Sequence, residues 1–287
     1  MNQRYLVAQD IQVIRELCGI SQEDFAKELE VSRSTIERWE NDEVEVSESN
    51  IEKLYSYAYH KKIYMNKIKE QLYKEDYIKE NHLVLFHGAK SMLEGALDLG
   101  KSKTNNDFGK GFYCGETFKQ ASMFVSSYSK SSIYILDFDR TNLKGYRFAV
   151  DQEWMLTIAY FRGRLEQYKD TLQIKEIRKK VEHADYIVAP IADNRMFQII
   201  DSFIEGEITD EQCRHCLSAT NLGFQYVFKT QKALKQVSIL ERCYLCQYEK
   251  EMYRRRRSED NKVSEDKVKI ARKQYRGQGH YIDEILV

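Results

Sequence analysis

The chain has 287 residues, 42% of them apolar, which suits about two domains of ordinary size with packed cores. Lys plus Arg balances Asp plus Glu at 45 each, so no net field draws the whole molecule to nucleic acid or to a membrane surface. No apolar run approaches the roughly 18 residues of a membrane span, and the opening MNQRYLVAQDIQVIREL lacks a basic segment followed by an apolar one, so the six cysteines are expected to be reduced, in a cytoplasm.

Residues 8–60 read as short helices. QDIQVIRELCGI is amphipathic, with Ile11, Ile14 and Leu17 on one face and Gly19 as its C-terminal cap. SQEDFAKELEV opens on Ser21 as N-cap with Asp24 three residues on, close to a capping box, and SRSTIERWE opens on Ser32. SESNIEKLYSYAYH gives a further helix with Ile51, Leu54 and Tyr55 inward, and the polar, tyrosine-rich stretch 63–80 reads as a helical connector. After Asn81 the period changes. LVLFHG, SIYILDFD, ADYIVAPIA and FQYVFKT read as strands, with helical patterns around 118–129, 151–166, 173–182 and 194–203. From Glu241 onward the sequence is charged and reads as helix, including four arginines at 254–257. The expected fold is multidomain: an all-α bundle over 1–66, a helical linker over 67–80, an α+β domain over 81–240 and a charged helical tail over 241–287.

SQEDFAKELEVSRSTIERWE places Phe25, Ala26 and Leu29 on one face of a first helix, Val31 in a tight turn, and Ile36 and Trp39 against the first helix. Arg33, Ser34, Glu37 and Arg38 are left outward, where a recognition helix meets base edges, and Gln22 near a helix N-terminus is placed to hold a phosphate. This stretch resembles helix-turn-helix domains of the phage-repressor and xenobiotic-response-element type, which implies DNA binding. Residues 1–66 carry 8 basic and 13 acidic side chains, a net of −5, so the domain alone is expected to hold DNA weakly; a protein-contact or dimerisation role stays open.

NDFGKGFYCGETFKQASMF, from Asn106 to Phe124, sets three glycines within seven positions, a pattern that lets backbone pass close to a ligand. With FHG at 86–88 and FQYVF at 224–228 it resembles the ADP-ribosyltransferase superfamily, on the branch that includes poly(ADP-ribose) polymerases and diphtheria toxin. The span 81–240 looks closest to a bacterial domain-of-unknown-function family, number 3990, within that superfamily. The resemblance implies NAD as substrate. It assigns His87 to the adenosine ribose, Gly88 to the nicotinamide amide, Tyr113 to the face of the nicotinamide ring, and Phe124 to a second aromatic closing the sandwich. Taken singly, His87 and Phe124 also read as ordinary strand-end and core residues.

The branch carries a catalytic glutamate where this chain has Gln225. Glutamine keeps a hydrogen bond and loses the charge, and losing one preorganised partner commonly costs about 10²–10³ in rate. The resemblance therefore leaves open transfer of a single ADP-ribose to an unknown acceptor or NAD sensing without turnover, and Gln225→Glu is expected to raise turnover. Asp193 is a candidate substitute carboxylate, with Glu205 and Glu207 as rivals. Cys213–Cys216 and Cys243–Cys246 have zinc-pair spacing, but both pairs read as helical and lack glycine knuckles, so zinc is not favoured and no metal ligand is assigned. The expected partners are DNA, NAD, the acceptor, a protein of the same toxin–antitoxin or phage-defence operon, and a second copy of the chain. The C-terminal residues, RKQYRGQGHYIDEILV, end apolar and are expected to dock on a partner or on the body of the domain.

Overall fold

The computed structural model describes residues 4–220 and 222–286. Five helices come first: α1 (Ala8–Cys18), α2 (Gln22–Leu29), α3 (Arg33–Glu40), α4 (Glu48–His60) and α5 (Met65–Asp76). A mixed region follows with β1 (His82–Ala89), β2 (Phe112–Gly115), α6 (Phe118–Val125), β3 (Ser132–Asp139), β4 (Gly145–Arg147), α7 (Gln152–Phe161) and α8 (Leu172–His183). It continues with β5 (Tyr186–Pro190), α9 (Asn194–Ile204), α10 (Asp210–Ser218), β6 (Phe224–Phe228), α11 (Gln231–Leu234) and β7 (Val237–Cys243). A long α12 (Gln247–Gln274) and a short α13 (Ile282–Ile285) form the helical C-terminal segment. The chain divides into two compact units, one of Met1–Gly95, Thr117–Asp139 and Ser238–Arg256, the other of Ala96–Glu116, Arg140–Val237 and Arg257–Val287.

In the first unit, local chemistry sets the helix ends. Gly19 caps α1 in the left-handed region at φ 64°, and Ser21, Ser32 and Ser47 each accept a backbone N–H three residues on. Ile11, Ile14, Phe25, Ala26, Leu29, Ile36, Trp39, Ile51 and Leu54 are buried together. Leu17 departs from expectation: it is 60% exposed, because the buried stripe of α1 is Asp10, Ile11 and Ile14. Asp10 takes an inward position that hydrophobic periodicity does not assign to a carboxylate.

Asp10 is inside because Lys69 is there. Lys69 Nζ donates to Asp10 Oδ2 and to Glu241 Oε1, both at 2.5 Å, and all three side chains are less than 9% exposed. The Tyr55 hydroxyl donates to Asp10 as well. Burial opposes the Lys69 charge, but Tyr55, Asp10 and Glu241 around it hold the ammonium well above the usual lysine range. Glu241 lies on β7, a strand where helix was expected from Glu241 onward. The inward residues of its last turn of alternation are Glu241 and Cys243, so the strand period is carried by a carboxylate and a thiol rather than by apolar residues. β1 and β3 pair antiparallel from His82↔Asp139 to Ala89↔Ser132, with β7 beside β3.

The second unit orders its strands β4-β5-β6-β2, with β4–β5 parallel and the other pairs antiparallel. Helices α7 to α9 bury Trp154, Ile158, Ile177, Ile200 and Phe203 in its core, which also takes in Ile282 and Leu286 from the C-terminal end. The short strands β2 and β4 were not expected from the sequence; at four and three residues they are fixed by their neighbours in the sheet.

Replacing Lys69 with methionine leaves two buried carboxylates without their cation. The expected loss of stability is about 3–5 kcal/mol, read from urea denaturation; an unchanged midpoint would show that the cluster does not stabilise this unit. A second outcome concerns pH. Burial raises Glu249 from 4.5 to about 7, against the lowering effect of hydrogen bonds from Asn66 and the Cys246 backbone N–H. A folded value above the unfolded one gives stability that is complete below about 4.5 and lost as pH rises through about 7. Thermal melts are expected to show wild type losing ground to Glu249→Gln between those pH values and a constant gap above them.

Candidate DNA-facing helix and nucleotide site

Ile36 and Trp39 anchor α3, so Arg33, Ser34, Glu37 and Arg38 are exposed along its other side. Glu40 closes the same helix but turns inward, accepting from Arg15 Nε at 2.7 Å and from Gln22 Nε2 at 2.7 Å. The Gln22 amide is thus directed to the end of α3, and a phosphate would have to compete with Glu40 for it. The turn between α2 and α3 passes through Glu30 at φ 58°, with its carboxylate 2.6 Å from Lys53 Nζ.

In the second unit, Tyr113 and Gln225, 112 positions apart in sequence, stand on paired strands. Gly115 is opposite Gln225 and Tyr113 is opposite Val227. The glycine-rich loop before β2 is tied down by three groups. Gly109 takes φ 70°, with the Phe161 ring where a side chain would begin. The Tyr113 hydroxyl donates to Gly109 O at 2.7 Å and accepts from Phe108 N at 3.1 Å, and burial pushes its ionisation well up. Lys229 Nζ donates to the carbonyls of Phe108 and Lys110, while burial brings the ammonium down to about 8.

Asp107 begins that loop and is buried. Its Oδ1 accepts from Arg162 Nε at 2.8 Å and Nη2 at 2.5 Å, and its Oδ2 accepts from Gln225 Nε2 at 2.9 Å. Arg162 also donates to Ala192 O at 3.1 Å and lies over the Phe197 ring. Gln225 gives a second bond to Pro190 O at 3.2 Å. Sequence reasoning passed over Asp107, Arg162 and Lys229. The one local signal was a carboxylate directly before the FG turn. Asp193, by contrast, is the N-cap of α9: its Oδ1 accepts from the backbone N–H of Arg195 and Met196. Glu205 pairs with Arg164 at 2.7 Å.

In the first unit, β1 carries His87 opposite Tyr134, and α6 carries Phe124. Phe124 is 57% exposed, with Lys90 Nζ 5.9 Å from its ring centre. Gly88 has a packing reason of its own. A Cβ there would lie 2.7 Å from Ala121 O and 2.8 Å from Val125 Cγ1, so α6 crosses β1 where glycine leaves room.

The two cysteine pairs differ in setting. Cys213 and Cys216 lie on α10 and are buried, whereas Cys243 ends β7 and Cys246 precedes α12, where helix was expected. Among the described residues no group of three or more His, Cys, Asp or Glu is arranged to hold a metal ion. No helix among them is long and apolar enough to cross a membrane.

Residues 11–55 match the helix-turn-helix family, which supports a DNA-binding role for α1 to α4. No curated protein and no solved structure matches the chain. Residues 83–239, more than half of the chain, match the family described as Protein of unknown function (DUF3990), and the chain belongs to that family.

Proposed function

We propose that the protein binds DNA through α3 and holds NAD in its DUF3990 region, where one ADP-ribose passes to an acceptor outside this chain. In that transfer the glycosidic C–N bond breaks and nicotinamide leaves with the electron pair. A nucleophilic atom of the acceptor then bonds to the anomeric carbon and loses its proton. The observation that carries the reading is the pairing of β2 and β6, which bear Tyr113 and Gln225, beside a loop pinned by Tyr113 and Lys229. Two motifs separated by more than a hundred residues thereby supply an aromatic face and an amide to one strand pair. His87, Gly88 and Phe124 enter on the strength of the resemblance. Gln225 in place of a carboxylate favours a second reading, in which the same region senses NAD without turnover and biases DNA binding.

Incubation with labelled NAD and cell lysate, followed by separate nuclease and protease digestion, distinguishes the two. Label carried into macromolecules supports transfer and its digestion pattern names the acceptor class. Saturable NAD binding with no transferred label supports sensing. Loss of the Tyr113 ring in Tyr113→Ala is expected to weaken NAD binding about tenfold or more, by analogy with stacking worth roughly 1–3 kcal/mol per base. Isothermal titration giving wild-type affinity for that variant would remove Tyr113 from the site.

For DNA, the expected outcome is loss of gel retardation on the protein's own upstream region when Arg33 and Arg38 are both replaced by alanine, since each bidentate arginine–base contact is worth about 1–3 kcal/mol. Unchanged retardation at moderate salt would show that α3 is not the reading helix.

A further inference from the structure

We infer that Gln225 presents a single, acceptor-only oxygen to a ribose hydroxyl of the ligand, and that Asp107 is the positioning residue that fixes and polarises it. The inference rests on the NAD reading above and assigns a role in it to a carboxylate that no motif carries. A glutamine amide has two N–H donors and one carbonyl oxygen. Both donors of Gln225 are engaged, one by Asp107 Oδ2 at 2.9 Å and one by Pro190 O at 3.2 Å. A backbone carbonyl and an arginine-paired carboxylate can only accept, so the nitrogen must lie on their side, and the orientation of the amide is determined by its partners.

The oxygen is therefore on the other side. Gln225 is 8% exposed, and among the described residues its Oε1 accepts no hydrogen bond and is not fully enclosed. Asp107 is itself fixed. Arg162 grips Oδ1 with two nitrogens and holds Ala192 O with one of them, tying the glycine loop to the segment after β5. An anion accepting from an amide N–H draws negative charge onto the amide oxygen, and in a buried setting such linked bonds strengthen one another. Gln225 Oε1 is thus a polarised acceptor with a distributed charge behind it, suited to a hydroxyl donor.

The same geometry reverses the expectation for Gln225→Glu. A glutamate there would set a second carboxylate against Asp107, and like charges at that separation do not both ionise readily. Exchanging the groups, as Asp107→Asn with Gln225→Glu, restores one amide and one carboxylate. The test uses four full-length proteins: wild type, Asp107→Asn, Gln225→Glu and the double variant. Each is titrated with NAD and with NAD analogues in which one ribose hydroxyl is replaced by hydrogen, and each is melted across pH. Wild type is expected to discriminate against one deoxy analogue by tenfold or more. Gln225→Glu is expected to lose at least tenfold in NAD affinity at neutral pH and to melt closer to wild type at low pH. Asp107→Asn is expected to lose several-fold in affinity together with the discrimination, and the double variant to bind NAD better than Gln225→Glu. NAD binding by Gln225→Glu equal to or above wild type, or a double variant no better than Gln225→Glu, overturns the inference while leaving the NAD reading standing. Absence of NAD binding by folded wild type overturns both.

Discussion

The Lys69 ammonium is the contact on which the first unit depends. It sits between Asp10 of α1 and Glu241 of β7, with Tyr55 of α4 beside it, so one buried charge joins two helices of the helix-turn-helix region to a strand more than 170 positions away. Such a cluster is a poor source of net stability compared with apolar packing, but it is intolerant of losing a member. Around it, Asn66 of α5 bonds to the Tyr244 carbonyl and to Glu249, and the Tyr244 hydroxyl donates to Glu52 of α4. Polar contacts of this kind require defined geometry, whereas apolar surfaces can slide. The helix-turn-helix region is therefore built into one compact unit with β1, β3 and β7, in contrast to a head on a flexible linker. The expected linker 67–80 contains Lys69 itself.

That arrangement bears on regulation. β1 carries His87 and Gly88 within the same unit as α3, and α6 packs on Gly88 with no space for a side chain. A ligand that favoured one position of β1 and α6 would act on the unit that also carries α3. Coupling of this sort needs a difference in ligand affinity between two states of the unit.

Much of the helical region was legible because caps are local. Gly19, Ser21 and Ser32 announce helix ends within three or four residues of themselves, and the structure uses each of them as read. The strands β1, β3, β5 and β6 were legible from apolar runs or from alternation. What was not legible depends on partners far along the chain. β7 was hidden because Glu241 and Cys243 occupy its inward positions, and a buried glutamate makes sense only once Lys69 is placed. Leu17 was misassigned for the complementary reason, since Asp10 holds the inward position on α1. Asp107 was hidden most deeply: its partners Arg162 and Gln225 are 55 and 118 positions away. A lone aspartate before a glycine turn reads as turn chemistry until those partners are known. The strand pair bearing Tyr113 and Gln225 was not legible: Tyr113 reads as part of a glycine turn, as β2 is too short to show a period of its own.

The acidic excess of the helix-turn-helix region also looks different once its carboxylates are located. Several are spent internally: Asp10 on Lys69, Glu40 on Arg15 and Gln22, Glu30 on Lys53, and Asp42 on Arg4. The outward side of α3 then presents Arg33 and Arg38 against a single carboxylate, Glu37, because Glu40 is turned into the core. A local positive face on a negative domain has a definite consequence. Nonspecific affinity depends on how many phosphates are neutralised, and acids beyond a Debye length of about 8 Å at physiological salt are largely screened from Arg33 and Arg38. A helix that met DNA with so few cations would depend on being held rigidly. The buried contacts of Trp39, Ile36 and Glu40 provide that rigidity from the three inward positions of the same helix.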